Sequence, residues 1–171
     1  MKFAYADPPY LGCAAKLYGD ATYDDPEAHR ALIVRLCDEY PDGWALSCHE
    51  PSLHILRAMC PNGTRTAVWV KPFAVFKPNV NPAYSWEPVL FCGGRKFTRQ
   101  DDTVRDWHSE SITLKRGLTG AKPLGFSLWL LRLLNVRYDL GDTIDDLFPG
   151  TSGVSEAWAQ MELHANADGG V

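Results

Sequence analysis

The stretch that most constrains this chain is its first ten residues, Met1-Lys2-Phe3-Ala4-Tyr5-Ala6-Asp7-Pro8-Pro9-Tyr10. A short apolar run of strand character meets two prolines, which donate no backbone hydrogen bond and hold the preceding residue extended. The strand must stop at Asp7 and leave the sheet as a stiff loop. That loop presents one carboxylate, two bare carbonyls and an aromatic ring at the carboxyl end of a strand, where open α/β sheets bind their ligands. A flat, amine-bearing heterocycle suits it. The Asp7 carboxylate and the Pro8 carbonyl can accept the two amine protons, and the Tyr10 ring offers a stacking face. Read alone, the tetrapeptide is equally a strand-terminating turn with an ordinary tyrosine.

At 171 residues the chain suits one domain with a sizeable core. With 46% hydrophobic and 22% charged residues it has the composition of an ordinary globular protein. No apolar run reaches bilayer-spanning length and no leader pattern opens the sequence, so we expect a cytoplasmic protein without a membrane partner. The net charge of -4 means that any nucleic acid must be held by a local patch. The five cysteines are odd in number and form no C-x-x-C, and are expected as reduced, mostly buried thiols.

Along the chain, Asp24-Asp25-Pro26-Glu27 predicts a helix start, with Leu32, Ile33, Leu36 and Cys37 at helical spacing. Trp44–Cys48, Thr66–Val70 and Pro88–Cys92 predict buried strands, and Ser52–Met59 a short helix. Strands alternating with helices indicate parallel βαβ units, with the last strand pair open to an antiparallel arrangement. A strongly apolar helix is expected over Phe126–Val136, a fifth strand over Thr143–Phe148 and a final helix over Val154–Leu163. The expected division is one domain over 1–163 and a loose tail over 164–171.

Residues 93–118 differ in character. Arg95, Lys96, Arg99, Arg105, Lys115 and Arg116 are interleaved with Phe97, Trp107 and His108. This insert is the candidate contact to phosphates or bases, with a solvated connector as the alternative, since Asp101, Asp102, Asp106 and Glu110 dilute its charge. His49 with Glu50 reads as a polar loop beside the substrate edge in preference to an acid–base pair. His49 and His54 lack a metal-ligand spacing, so no metal is expected.

Four segments in order then carry a family resemblance. Asp7-Pro8-Pro9-Tyr10 matches the D/N/S-P-P-Y/F/W motif of the amino-methyltransferases that modify adenine N6 or cytosine N4 in DNA. Asp146-Leu147-Phe148-Pro149-Gly150-Thr151-Ser152-Gly153 is similar to their D-x-F-x-G-x-G cofactor loop, with Ser152 where the second glycine is expected. Gly120-Ala121-Lys122-Pro123 looks like their lysine-proline segment, and Tyr84–Phe91 resembles their aromatic-glutamate strand. Catalytic motif first and cofactor motif last is the order of the permuted, β-class-like subgroup.

The resemblance implies a Rossmann-like, mostly parallel α/β sheet of about five strands, in a minimal bacterial or phage form of the restriction-modification type. It implies S-adenosyl-L-methionine as cofactor and double-stranded DNA with a flipped base as partner. Asp7, Pro8, Pro9 and Tyr10 would be catalytic, and Lys122, Asp146, Phe148, Gly150, Thr151 and Ser152 would bind cofactor. Arg95, Lys96, Arg99, Lys115 and Arg116 would bind nucleic acid. Asp at position 7 leans towards adenine N6, with cytosine N4 as an alternative.

The usual strands after the cofactor loop find no room, so residues 143–148 are expected as a sheet edge that a second copy could cover in a homodimer. A degenerate, non-catalytic fold that binds DNA or protein, and an acidic DNA-mimicking inhibitor, remain as readings of other classes.

Overall fold

The computed structural model describes residues 1–73, 78, 80–112, 121–150 and 152–168, with backbone alone for 164–168. Among the described residues, six strands form one sheet: β1 (Lys2–Ala6), β2 (Gly43–Ser47), β3 (Arg65–Val70), β4 (Trp86–Gly93), β5 (Trp107–Ser109) and β6 (Thr143–Asp146). Their order is β5-β3-β4-β2-β1-β6. β1 pairs parallel with both β2 and β6, and β3 pairs parallel with β5. β4 is antiparallel to β2 and β3, so it alone runs against the other strands. The expected mostly parallel α/β sheet is present, with one more strand than expected.

Among the described residues, five α-helices flank it: α1 (Ala14–Tyr18), α2 (Pro26–Glu39), α3 (Leu53–Met59), α4 (Leu124–Leu133) and α5 (Gly153–Asp168). The period-2 alternation of a strand explains why both faces need helices. From β1, Phe3 and Tyr5 enter a cluster with Trp69, Phe126 and Leu130 beneath α4 and α5. Ala4 and Ala6 enter the opposite cluster with Leu36, Leu46 and Leu56 beneath α2 and α3. α2 begins as its sequence indicates, with Pro26 in the first turn and the Asp25 side chain accepting from the Glu27 N–H at 3.0 Å.

Several expectations are corrected. α1 lies where the sequence predicts no element, and its first N–H groups, those of Ala14 and Ala15, donate to the Asp24 carboxylate. β5 lies inside the basic insert, and two buried tryptophans fasten that segment. Trp69 Nε1 donates to the Glu110 carbonyl and Trp129 Nε1 to the Arg105 carbonyl, each at 2.9 Å. The strand expected to reach Phe148 ends at Asp146, and α5 continues to Asp168, into the tail expected to be loose. Of the five free cysteines, only Cys48 is fully buried. β6 is the terminal strand, as the sheet-edge expectation required. No helix among the described residues is long and apolar enough to cross a membrane.

At the amino end of the parallel strands, the fully buried Asp142 carboxylate accepts from Arg95 Nη2 at 2.6 Å and from the Arg137 N–H at 2.8 Å. Burial would raise its pKa, but these donors outweigh burial and hold it below the usual carboxylate range. Such a group contributes stability above its unfolded pKa, about 4, and loses it as pH falls through the folded value. Asp142→Asn is therefore expected to lower unfolding free energy by about 2 kcal/mol at neutral pH. Urea melts should show that gap closing in acid.

Candidate active site

β1 lies between two parallel neighbours, so the chain leaves β1, β2 and β6 side by side at one edge of the sheet. Asp7-Pro8-Pro9-Tyr10 follows β1 there, and Leu147-Phe148-Pro149-Gly150 follows β6. Because β4 runs the other way, its first residues, Trp86 and Glu87, lie at this same end, with Trp86 opposite Val70. Lys71 follows β3, and Lys122 precedes α4. Segments distant in sequence thus converge on one edge.

Four charged side chains meet there with little water. The Lys122 side chain is only 9% exposed, and its Nζ lies 2.7 Å from Asp7 Oδ2 and 3.5 Å from Glu87 Oε2. Lys71 Nζ lies 2.6 Å from Glu87 Oε1. The Tyr10 hydroxyl lies 2.9 Å from Glu87 Oε2, 3.2 Å from Asp7 Oδ1 and 3.1 Å from Lys122 Nζ. Burial alone would lower the Lys122 pKa, yet the Asp7 and Glu87 carboxylates outweigh it and raise it. Burial alone would raise Glu87, yet Lys122 and Lys71 bring it below its ordinary value. The Tyr10 phenol is pushed well up by burial and by the charges of Asp7 and Glu87. Two carboxylates and two ammoniums balance, which makes so much buried charge tolerable.

Two cavities open on this cluster. The larger, about 410 Å³, is lined by Tyr5, Asp7, Asp146, Phe148, Gly150 and Gly153 among others. The smaller, about 270 Å³, is lined by Tyr10, His49, Tyr84, Trp86 and Glu87 among others. Asp7, Tyr18 and Lys122 line both, so the Asp7 carboxylate forms part of the wall between them. In the smaller cavity the His49 ring is nearly coplanar in orientation with Tyr10, at 6° and 6.0 Å between centroids, and Tyr84 meets His49 edge-on at 5.1 Å. In the larger, burial raises the Asp146 pKa although the Phe148 N–H donates to its Oδ1 at 3.1 Å.

The residues expected from sequence divide accordingly. Asp7 lines both cavities, Pro8 and Tyr10 line the smaller, and Pro9, Asp146, Phe148 and Gly150 line the larger. Lys122, expected to bind cofactor, lines the larger cavity and is ion-paired with Asp7 and Glu87. Ser152 adopts φ +63, a left-handed conformation that explains why glycine would suit its position. Thr151, Lys115 and Arg116 fall outside the described residues. Arg95, Lys96 and Arg99 follow β4, which ends opposite Gly43 at the start of β2. They therefore leave the sheet at the end away from Asp7, and Arg95 is tied to Asp142. The reversed direction of β4 is what displaces them.

Glu87, Lys71 and Tyr18 were not among the expected site residues. The signals were for Glu87: it lies in the aromatic-glutamate resemblance over Tyr84–Phe91, and a charge flanked by Trp86 and the apolar run to Phe91 demands a buried partner. No cluster of three or more potential metal ligands occurs among the described residues.

No family profile matches the chain, and no curated protein matches it by sequence. Solved structures do match its fold. M1.HpyAVI in complex with SAM superposes with a TM-score of 0.60 at 16% identity, over 94% of this chain and 78% of that one. A Thermus thermophilus protein named as a DNA modification methylase, complexed with S-adenosyl-L-methionine, gives 0.52 at 18% identity, over 94% and 76%. The chain has the methyltransferase fold that these structures share.

Within this methyltransferase fold, the left-handed Ser152 is a local strain just before α5. Ser152→Gly is expected to raise unfolding free energy by up to about 1 kcal/mol, reduced by the extra chain entropy of glycine. Thermal unfolding of the two proteins side by side checks it, and a loss of stability would contradict the strain.

Proposed function

We propose that the chain is an S-adenosyl-L-methionine-dependent methyltransferase acting on the exocyclic amine of a base extruded from DNA, with adenine N6 as the target. The observation that carries this reading is the Asp7 carboxylate in the wall shared by two differently furnished cavities.

The larger cavity fits the cofactor in size and chemistry. Its 410 Å³ falls within the roughly 300–1,000 Å³ of small-molecule sites. Phe148 supplies an apolar wall, Asp146 an acceptor, and the first turn of α5 from Gly153 offers N–H groups suited to a carboxylate. Bound there, S-adenosyl-L-methionine would supply an electrophilic sulfonium methyl group. The same cofactor in complex with M1.HpyAVI and with the Thermus protein is consistent with this assignment.

The smaller cavity suits one planar ring. Tyr10 and His49 give it aromatic walls, and a base must leave its stack to enter. Asp7 and the Pro8 carbonyl would accept the two amine protons and aim the nitrogen lone pair across the shared wall. The proton displaced from nitrogen leaves to Asp7 or to solvent, so no covalent intermediate with the chain is needed. What the residues contribute is alignment and exclusion of water. Asp rather than Ser at position 7 supports adenine, through the family resemblance.

Incubation with methyl-labelled cofactor and DNA, followed by nucleoside identification, is expected to give N6-methyladenine. Label in cytosine would move the target to N4, and no label with no calorimetric cofactor binding would refute the enzyme reading. Asp7→Ala is expected to cut transfer about 100-fold or more while cofactor binding by calorimetry is kept.

A further inference from the structure

The hydrogen bonds around Asp7 are unequal, and the inequality has a direction. A phenol carries one proton. Of the two carboxylates facing the Tyr10 hydroxyl, Glu87 Oε2 is the nearer at 2.9 Å, with Asp7 Oδ1 at 3.2 Å. Glu87 therefore accepts the phenol's hydrogen bond. The hydroxyl oxygen is then free to accept from Lys122 Nζ at 3.1 Å, and the same ammonium donates to Asp7 Oδ2 at 2.7 Å. Glu87 is itself fixed from its other side by Lys71 at 2.6 Å. Among the described residues, Asp7 Oδ1 is left without a strong donor, and Asp7 lines the smaller cavity.

We infer that Glu87 is a positioning residue for the transfer reaction: by accepting the Tyr10 hydrogen bond and holding Lys122 on Asp7 Oδ2, it keeps Asp7 Oδ1 open to accept from the target amine. The inference rests on the methyl-transfer reading and adds to it a role for a residue that need not touch substrate. It also gives the Tyr10 hydroxyl a sign. While Glu87 is ionised the hydroxyl is harmless; without that carboxylate it turns its proton to Asp7 Oδ1 and competes with the substrate.

This sign makes a double-variant test decisive. In Glu87→Gln the amide can donate to the Tyr10 oxygen, so the phenol proton turns to Asp7. Single-turnover transfer should slow at least tenfold, with the cofactor dissociation constant unchanged. Tyr10→Phe alone keeps the ring and removes the competing proton, and its own rate is the reference for the double variant. Tyr10→Phe combined with Glu87→Gln should be faster than Glu87→Gln alone, a rescue that a purely structural role for Glu87 would not give.

The Lys122 titration, followed by NMR on lysine-labelled protein, reads the network without any turnover. Its pKa should fall in Glu87→Gln because one of two carboxylates that favour the ammonium is gone. Lys71→Met with Glu87→Gln restores charge balance where the single variant fails to fold, and should remain slow. A Glu87→Gln protein as fast as wild type, an unmoved Lys122 titration, or a double variant no faster than Glu87→Gln would overturn the inference. Failure of the underlying reading shows separately, as a wild-type protein with no transfer at all, and the positioning role falls with it.

Discussion

The structure depends on β1 being hydrogen-bonded on both sides to strands that run its own way. Parallel pairing of Lys2–Ala6 with Gly43–Ser47 and with Thr143–Asp146 brings three chain exits to one edge, although they lie at opposite ends of the sequence. Neither the Asp7 turn nor the Phe148 loop forms a site alone. Joined through β1, they face one cleft. Burial on both faces enforces the register, because a one-residue slip would send Phe3 and Tyr5 to the face where Ala4 and Ala6 now pack.

A second constraint is electrostatic. Removing two carboxylates and two ammoniums from water is costly, and the arrangement persists because each charge has an opposite partner within 2.7 Å. Lys122 joins the segment before α4 to the turn after β1, and Lys71 joins the end of β3 to the start of β4. The cluster is thus as much a tie between the two halves of the sheet as a chemical site. The methyltransferase fold supplies the edge, and these four side chains decide what that edge can do.

Much of this was legible in the residues. Two prolines after an apolar run mark the end of β1, Asp25-Pro26 marks the start of α2, and the unbroken burial of Phe3 to Ala6 follows from a strand covered on both faces. What sequence could not supply was direction. The insert after Gly93 is basic and aromatic, so it read as a nucleic-acid contact. Only the reversal of β4 shows that Arg95, Lys96 and Arg99 depart from the far end. The three residues of β5 were invisible because their polar pattern says nothing of strands. They are held by neighbours, with Val68 N–H donating to the Asp106 carbonyl at 3.0 Å and Glu110 N–H to the Val70 carbonyl at 3.1 Å. The pairing of Lys122 with Glu87 was not legible because the two lie far apart in the chain.

The central claim is that two cavities meet at Asp7, one for a methyl donor and one for a planar amine acceptor. The most direct measurement is a crystal structure with a bisubstrate compound in which the donor's adenosyl and amino-acid groups are linked to the amine of adenine. The account predicts the donor half against Phe148 and the first turn of α5, the adenine against Tyr10, and the linker passing Asp7. A compound bound with both halves on one side of Asp7, or on another face of the sheet, would contradict it.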